Sequence, residues 1–82
     1  MLYFVYVLQT NCKNKKITYV GSTNNLKKRI KLHNLGKGAK FTRGRKWKLI
    51  YSEKHSNKNK ALSREYYMKK DKNFRNQLKN NS

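Results

Sequence analysis

Two short runs of β-branched and aromatic residues begin the sequence, and they constrain the fold more than any other feature. Residues 3–9 and 17–21 both have the composition of β-strands. The segment between them, residues 10–16, is polar and contains two asparagines, as expected of a hairpin connection. The sequence therefore predicts an antiparallel hairpin at the N-terminus.

The pairing within this hairpin depends on where the turn lies. A turn centred on residues 12–13 sets Leu8 opposite Ile17 and Tyr6 opposite Tyr19. Because strand side chains alternate between the two faces of a sheet, the two tyrosines are then cross-strand neighbours on one face.

A helix is predicted after the hairpin, with Ser22, Thr23 and Asn24 as N-cap candidates. It runs to about Leu35 and ends at Gly36.

On this helix the residues Leu26, Ile30 and His33 fall on one face, and Arg29 lies one step to the side. Arg29 and His33 are four residues apart. We therefore expect a basic pair at the rim of the packed face.

The rest of the chain predicts a loop, a strand and two helices. Residues 36–46 contain three glycines and five cations, which is typical of a flexible basic loop. Residues 47–53 alternate as a third strand that would place Trp47, Leu49 and Tyr51 on one face.

A second helix follows, capped by Ser56 or Asn57 and running to about Lys70, and a short last helix holds Phe74 and Leu78. The predicted fold class is α+β, a central three-stranded antiparallel sheet flanked by helices in the order ββαβαα. We expect residues 1–82 to form one domain with its core at about 2–72.

The charge balance indicates a polyanionic partner. Lysine and arginine number 22 against three acids, a formal charge of +19. Such a field attracts nucleic acid and drives binding by counterion release, although a lysine-rich surface is also a simple solvated face. No apolar run reaches the ~20 residues that span a bilayer, and no signal-peptide pattern is present. We expect a cytoplasmic, nucleic-acid-associated protein that is not secreted and has no membrane partner.

Cysteine and histidine counts narrow the possible metal chemistry. The single cysteine, Cys12, excludes an internal disulfide and a cysteine cluster, and we expect no disulfide-linked partner. Two histidines are too few for a His-rich centre.

The three acids differ in their surroundings. Glu53 and Asp71 stand beside lysines, as ordinary surface partners do. Glu65 instead projects from the apolar stripe of the second helix, formed by Ala61, Leu62 and Met68. A carboxylate turned toward a core needs a cation, a hydrogen-bond network or a metal. Periodicity alone favours an ion pair for Glu65. If the chain hydrolyses phosphodiester bonds, Glu65 is instead the single carboxylate that holds Mg²⁺.

Tyr6, Tyr19, Arg29 and His33 are the other candidates for chemistry. The tyrosines are either half-buried strand aromatics or general bases, in which case neighbouring cations must lower a pKa that is ordinarily near 10. Arg29 suits a phosphate clamp. His33 suits either the reaction or helix packing.

The basic loop, with Phe41 and Trp47 nearby, resembles a nucleic-acid contact surface on which cations grip phosphates and aromatic rings stack on bases. Trp47 begins a strand, which favours a place in the core. The candidate binding residues are Lys37, Lys40, Arg43, Arg45 and Lys46.

These residues together resemble the GIY-YIG nuclease superfamily. Phe4-Val5-Tyr6 and Tyr19-Val20-Gly21 are similar to its GIY and YIG motifs, although Phe4 replaces the first glycine. The stretches LKKRIKLHNLGKGAKFTRGRKWKLIYSE and ALSRE resemble its short, stand-alone members. The resemblance extends from residue 3 to about residue 70.

The resemblance implies a site composed of the motif tyrosines Tyr6 and Tyr19, Arg29 near the scissile phosphate, the active-site His33, and Glu65 as ligand of one Mg²⁺ or Mn²⁺. It implies a metal-dependent endonuclease that hydrolyses DNA with low sequence specificity, with a possible protein partner for targeting. Two alternatives stay open: a non-catalytic DNA- or RNA-binding module on the same scaffold, and a homing or mobile-element nuclease with a separate DNA-binding partner.

Overall fold

The computed structural model describes residues 2–80 and shows three strands, three α-helices and one short 3-10 helix. The strands form one antiparallel sheet in the order β2-β1-β3, which confirms the predicted fold class. The elements are β1 Tyr3–Cys12, β2 Lys15–Thr23, α1 Leu26–Asn34, η1 Lys40–Thr42, β3 Lys48–His55, α2 Lys58–Lys70 and α3 Lys72–Asn80.

Alternation along β1 gives the sheet two buried faces. Val5 and Val7 point to the face covered by α2 and α3, where Phe74 and Leu78 of the predicted last helix pack. Tyr6 and Leu8 point to the face that α1 covers. The remaining members of the first cluster are Tyr3, Val20, Ile50, Tyr51, Ala61 and Met68, and those of the second are Ile17, Tyr19, Leu26, Ile30, Trp47 and Leu49.

The predicted hairpin register is wrong by two residues. The turn is formed by Lys13 and Asn14, both with positive φ, 49° and 67°. Two such residues are the requirement of a type I′ hairpin turn, whose twist matches that of the strands. Tyr6 therefore pairs with Gly21, and Leu8 pairs with Tyr19. A shift of two residues preserves the face, so both tyrosines still share one side of the sheet.

The predicted face of Tyr51 is also wrong, because β3 contains a register irregularity. Val7 pairs with Tyr51 and Leu8 pairs with Leu49, so Ile50 is an extra residue in the strand. A bulge of this kind reverses the alternation beyond it. Leu49 packs with Trp47 on the α1 face, whereas Tyr51 packs on the opposite face.

Asparagine side chains cap the N-termini of α1 and α2. Asn25, rather than Ser22, Thr23 or Asn24, caps α1 by accepting a hydrogen bond from the backbone N–H of Lys28 at 3.2 Å. Ser22 and Thr23 are instead the last residues of β2. Asn57 caps α2, as predicted.

Glu53 has more partners than its surface position in the sequence predicted. Its carboxylate accepts hydrogen bonds from Tyr51 Oη at 2.7 Å and from Arg64 Nε at 3.0 Å, and it pairs with His55 Nε2 at 2.6 Å. Burial alone would raise the pKa of Glu53, but these bonds hold it below its usual value. The cluster links β3 to α2. Asp71 is exposed and accepts the backbone N–H of Phe74, at the start of α3.

Across residues 2–80, no helix combines the length and the apolar character that crossing a bilayer requires.

Candidate active site

Tyr6 and His33 meet at the centre of the α1 face. The Tyr6 hydroxyl lies 2.8 Å from His33 Nε2, and both side chains are fully buried. The predicted place of His33 at the rim of the packed face is therefore wrong. Its other ring nitrogen, Nδ1, lies 2.9 Å from the hydroxyl oxygen of Thr42. The sheet, α1 and the basic loop are thus joined through one imidazole.

The hydrogen bonds of Thr42 determine which ring nitrogen of His33 carries the proton. Thr42 donates its only hydroxyl hydrogen to the Ala39 carbonyl at 2.9 Å and accepts the Ala39 N–H at 3.2 Å. It can therefore only accept from His33, so Nδ1 carries the imidazole proton. His33 Nε2 is then the acceptor, and Tyr6 donates to it. The neutral Nδ1–H imidazole satisfies every contact of this network.

The positive charge of the chain does not lower the pKa of Tyr6. Burial raises this pKa to about 12, and the hydrogen bond and charge of Arg29 offset only part of that effect. The expectation that nearby cations push this phenol toward phenolate is therefore wrong for Tyr6. Its hydroxyl stays protonated at neutral pH and available as the donor to His33.

The neutral imidazole predicts a pH dependence of stability. Burial, followed by the charge of Arg29, lowers the pKa of His33 below 6.5 in the folded chain. Unfolding then takes up a proton, so the stabilisation is complete above the unfolded-state pKa and is lost as pH falls from there toward the folded-state pKa. We expect the free energy of unfolding, measured by urea titration, to decrease from about pH 7 to about pH 5.5.

A His33→Gln variant is the control for this prediction. It should be less stable at neutral pH, with a flatter pH profile in the same interval. Equal slopes for the two chains would contradict a neutral, buried His33.

Two glycines leave the space that this pair of side chains occupies. A Cβ at Gly21 would lie 2.5 Å from Tyr6 Oη and 2.7 Å from its Cζ. A Cβ at Gly38 would overlap the His33 ring. Gly21 is the glycine of the second tyrosine motif, and the structure explains it as a close backbone approach to the first motif's tyrosine.

Glu65 reaches the same region from the opposite layer. It lies on α2, yet its Oε1 accepts the Ser22 hydroxyl hydrogen at 2.5 Å at the end of edge strand β2. Its Oε2 pairs with Lys69 Nζ at 2.8 Å. The side chain is 19% exposed, so this is not a fully buried ion pair. The carboxylate is close enough to Tyr6 for its charge to contribute to the raised pKa of that phenol.

The apolar stripe predicted around Glu65 is only partly correct. Ala61 and Met68 are buried, but Leu62 is 46% exposed. Leu62 instead lines an open cleft.

This cleft joins the two layers. Arg29 lines it from α1, Ser22 from β2, and Lys58 and Leu62 from α2. Its volume is about 370 Å³. Arg29 Nε is buried without a hydrogen-bond partner among the described residues, so the protein's own acceptors do not fully satisfy this guanidinium.

Tyr19 connects this core to the loop. Its ring centroid lies 6.5 Å from that of Tyr6, 5.0 Å from His33 and 6.2 Å from Phe41. Unlike Tyr6 it is only half-buried. Trp47, as expected, is buried in the core.

The basic loop is more ordered than its composition predicted. Residues 40–42 form a 3-10 helix, and Thr42 within it is fully buried. The Trp47 indole N–H donates to the Thr42 carbonyl at 2.9 Å, and the Trp47 backbone exchanges two hydrogen bonds with the Asn34 side chain. Of the candidate binding residues, four are exposed and Arg45 is half-buried; the exposed ones are Lys37, Lys40, Arg43 and Lys46.

The donor set around Glu65 fits a weakly chelated hard cation. No group of three or more histidine, cysteine, aspartate or glutamate side chains that could hold a metal occurs within residues 2–80. Mg²⁺ and Mn²⁺ accept one carboxylate when water and substrate phosphate complete the shell. Each Glu65 oxygen has one protein partner and a further lone pair, so the carboxylate retains the capacity for such an ion.

Sequence reasoning did not assign Thr42, Ser22 or Lys69 to the site. Thr42 lies within the loop, where no hydrophobic periodicity marks it. The only hint of its role in the sequence is a hydroxyl side chain among glycines and cations. Ser22 was interpreted as a helix cap. Lys69 is four residues after Glu65, a spacing that brings the two side chains together on one helix.

The structure is a small α+β domain of the kind found in nucleases, and its two tyrosine motifs lie on the paired strands β1 and β2. The sequence model of the GIY-YIG catalytic domain matches residues 2–80. The chain therefore belongs to the GIY-YIG family, which confirms the resemblance drawn from its motifs.

Its relatives include UPF0213 proteins. The chain is 57% identical over 68 residues to UPF0213 protein CPE1444 of Clostridium perfringens, covering 82% of this chain and 70% of that protein. It is 48% identical over 69 residues to UPF0213 protein YazA of Bacillus subtilis, covering 83% and 67%. The solution NMR structure of UPF0213 protein BH0048 from Bacillus halodurans is 38% identical, covers 95% of this chain and 82% of that one, and has a TM-score of 0.53.

Proposed function

We propose that the chain is a divalent-metal-dependent endonuclease that hydrolyses phosphodiester bonds in DNA. The observation that carries this proposal is the convergence of Tyr6, His33 and Arg29 with Glu65, which comes from the other side of the sheet. Glu65 bonds to Ser22 at the end of β2, and both its charge and that of Arg29 act on the pKa of Tyr6.

In this proposal Tyr19 is the general base. Tyr6 is fully buried and has a pKa of about 12, so it is poorly placed to contact water. Tyr19 is half-buried next to the exposed loop. Tyr6 and His33 then hold the neighbouring ring and Arg29 in place.

Arg29 would bind the scissile phosphate. It lines the cleft, and its guanidinium donors match phosphate oxygens in a way that a lysine does not. Lys58 lines the same cleft and adds positive charge.

Glu65 would hold one Mg²⁺ or Mn²⁺. When bound, such an ion stabilises negative charge at the phosphate and favours ionisation of water. Ser22, which lines the cleft, holds the carboxylate at the end of β2 by its hydrogen bond. The positive field of +19 concentrates the polyanionic substrate.

The proposal is tested by incubating the chain with labelled duplex, branched and single-stranded DNA and with RNA, each in Mg²⁺, Mn²⁺ or EDTA. We expect cleavage of DNA with a divalent ion and none in EDTA. An Arg29→Ala variant should lose about 10²–10³-fold in rate, as expected when a donor to developing charge is removed. Absence of cleavage in every condition would contradict the proposal.

Lys69 should compete with the divalent ion for Glu65. A Lys69→Met variant removes the charge that pairs with Oε2. Such ion pairs contribute about 0.2–1 kcal/mol. We therefore expect the Mn²⁺ concentration that half-saturates the site to fall by about 1.5- to 5-fold in the variant. Electron paramagnetic resonance of free Mn²⁺ measures this without any cleavage assay, and a Lys70→Met variant is the matched control. A higher Mn²⁺ requirement in Lys69→Met would contradict the competition.

The alternative is a binding module without catalysis, and one observation favours it. Glu65 already has Ser22 and Lys69 as partners, and Tyr6 is a neutral phenol satisfied by His33. Such a site is stable without an ion. DNA or RNA binding in EDTA, with no cleavage under any divalent ion, would support this function instead.

Targeting is proposed to come from outside the site. A single small site reads few bases, so specificity would be low or supplied by a protein partner or a separate DNA-binding partner, as in homing nucleases. Nucleic acid as partner implies a cytoplasmic place of action, which stays part of the proposal.

A further inference from the structure

We propose that Phe41 and Arg45 form a stacking site for one unpaired nucleobase of the substrate strand, directly beside Tyr19. This inference rests on the proposed function only in taking nucleic acid as the ligand. It assigns a substrate class, namely single-stranded or locally unpaired DNA.

Phe41 is an exposed aromatic ring held in a fixed place. It is 52% exposed, although leaving an apolar ring in water forgoes the gain of burial. Its neighbour Thr42 is fully buried and bonded to His33 and Ala39, which anchors the backbone of the 3-10 turn. A ring already held in position loses little conformational entropy when a ligand stacks on it.

The buried edge of Phe41 belongs to the aromatic cluster of the site. Its ring is stacked with Tyr19 at 6.2 Å and 22° and lies 6.1 Å from Trp47. A base stacked on the exposed part of Phe41 therefore continues the row of rings that ends at Tyr19.

Arg45 indicates what kind of ligand covers Phe41. Its guanidinium carbon lies 5.4 Å from the ring centroid, and one of its terminal nitrogens, Nη1, is buried without a hydrogen-bond partner among the described residues. This guanidinium lies over the face of the ring. Guanidinium and aromatic faces both stack on bases, so such a pair is suited to grip single-stranded nucleic acid. Exposed cations surround it in sequence, at Lys37, Lys40, Arg43 and Lys46.

Charge and shape together commit the site to nucleic acid. An acidic peptide would satisfy the cations but would leave the Phe41 ring without a matching planar partner. Bases within a duplex are stacked and paired, so offering one to Phe41 requires unstacking. Unpaired bases already present a free face, which favours single strands or loops.

The test separates stacking from charge by comparing two oligonucleotides of equal length, oligo(dT) and its abasic analogue, which have the same number of phosphates. Affinities are measured in EDTA through the fluorescence of Trp47, the only tryptophan, whose ring is 6.1 Å from Phe41. The wild-type chain should prefer oligo(dT).

In Phe41→Leu this preference should fall by about 5- to 150-fold, the range expected for losing one stacked base. Phe41→Trp should retain the preference, with fluorescence anisotropy of a labelled oligonucleotide as the readout because it adds a second tryptophan. The salt dependence of binding should be the same in all three chains, because phenylalanine contributes no charge.

Tyr67→Leu is the matched control, since Tyr67 is 65% exposed but lies on α2 beside His55 and Arg64. An unchanged preference in Phe41→Leu, or an equal loss in Tyr67→Leu, would overturn the assignment. Because no divalent ion is present, failure of the proposed nuclease activity would not alter this result. Conversely, a wild-type chain with no preference for oligo(dT) would overturn this stacking site without bearing on metal-dependent cleavage.

Discussion

Replacing Glu65 by glutamine should reduce DNA cleavage by about a thousandfold, equivalent to about 4 kcal/mol in the activation barrier. Glutamine has nearly the same shape and can still accept the Ser22 hydroxyl hydrogen. It lacks the negative charge that attracts a divalent ion. Since the other two acids, Glu53 and Asp71, already accept hydrogen bonds elsewhere, neither is placed to substitute for it.

The measurement is a single-turnover rate in saturating Mn²⁺ for wild-type and variant chains. Binding to the same DNA in EDTA is the control and should not weaken, because the variant removes a negative charge from a strongly positive surface. Asp71→Asn, which alters an exposed acid at the start of α3, should cleave at the wild-type rate. Equal cleavage by Glu65→Gln would reject the assignment of this residue.

The second large effect is expected from Gly21→Ala. The added methyl would lie 2.5 Å from Tyr6 Oη, so Tyr6 must move. Tyr6 is fully buried and bonded to His33, so the displacement passes to both side chains. We expect a loss of about 1–3 kcal/mol in the free energy of unfolding, as for an overpacked core.

Cleavage by Gly21→Ala should fall about 10²-fold even at temperatures where the variant is folded, because small displacements of site groups have large kinetic effects. Gly36→Ala is the matched control. Gly36 has φ +79° with nothing near its would-be Cβ, so the variant should lose about 1–2 kcal/mol of stability through backbone strain. Its cleavage rate should stay near wild type. Equal losses of rate in the two variants would show that Tyr6 placement is not important.

The sequence predicted the elements of this fold because hydrophobic periodicity and cap residues are local signals. Strand composition identified all three strands, and Asn57 and Gly36 mark helix ends that the structure confirms. The face on which a strand residue lies is also a local property. Any shift of the hairpin register by an even number of residues leaves Tyr6 and Tyr19 on the same face of the sheet.

Register and face were harder to predict because they depend on turn type and on bulges. Either residue pair, 12–13 or 13–14, is polar enough for a turn, and only the positive φ values of Lys13 and Asn14 decide between them. The extra residue Ile50 reverses alternation for Tyr51, and no composition signal announces it.

The candidate site was predictable in membership but not in its internal chemistry. Single residues such as Tyr6 and Arg29 stood out because their side chains suit phosphoryl chemistry. Burial of His33 and the raised pKa of Tyr6 depend on how α1 and the loop close over the sheet, which periodicity does not reveal. Thr42 was missed for the same reason: its role exists only through contacts with His33 and Ala39.

The central proposal is tested most directly by adding Mn²⁺ to the metal-free chain. The bound ion is located from the NMR signals that it broadens. The chain has only three acidic side chains, so the possible side-chain carboxylate sites are few. We predict that the signals of Glu65 and Ser22 broaden first and that Glu65→Gln abolishes this effect. Broadening that begins instead at Glu53 or Asp71, or that persists in Glu65→Gln, would contradict the placement of the ion beside Tyr6 and Arg29.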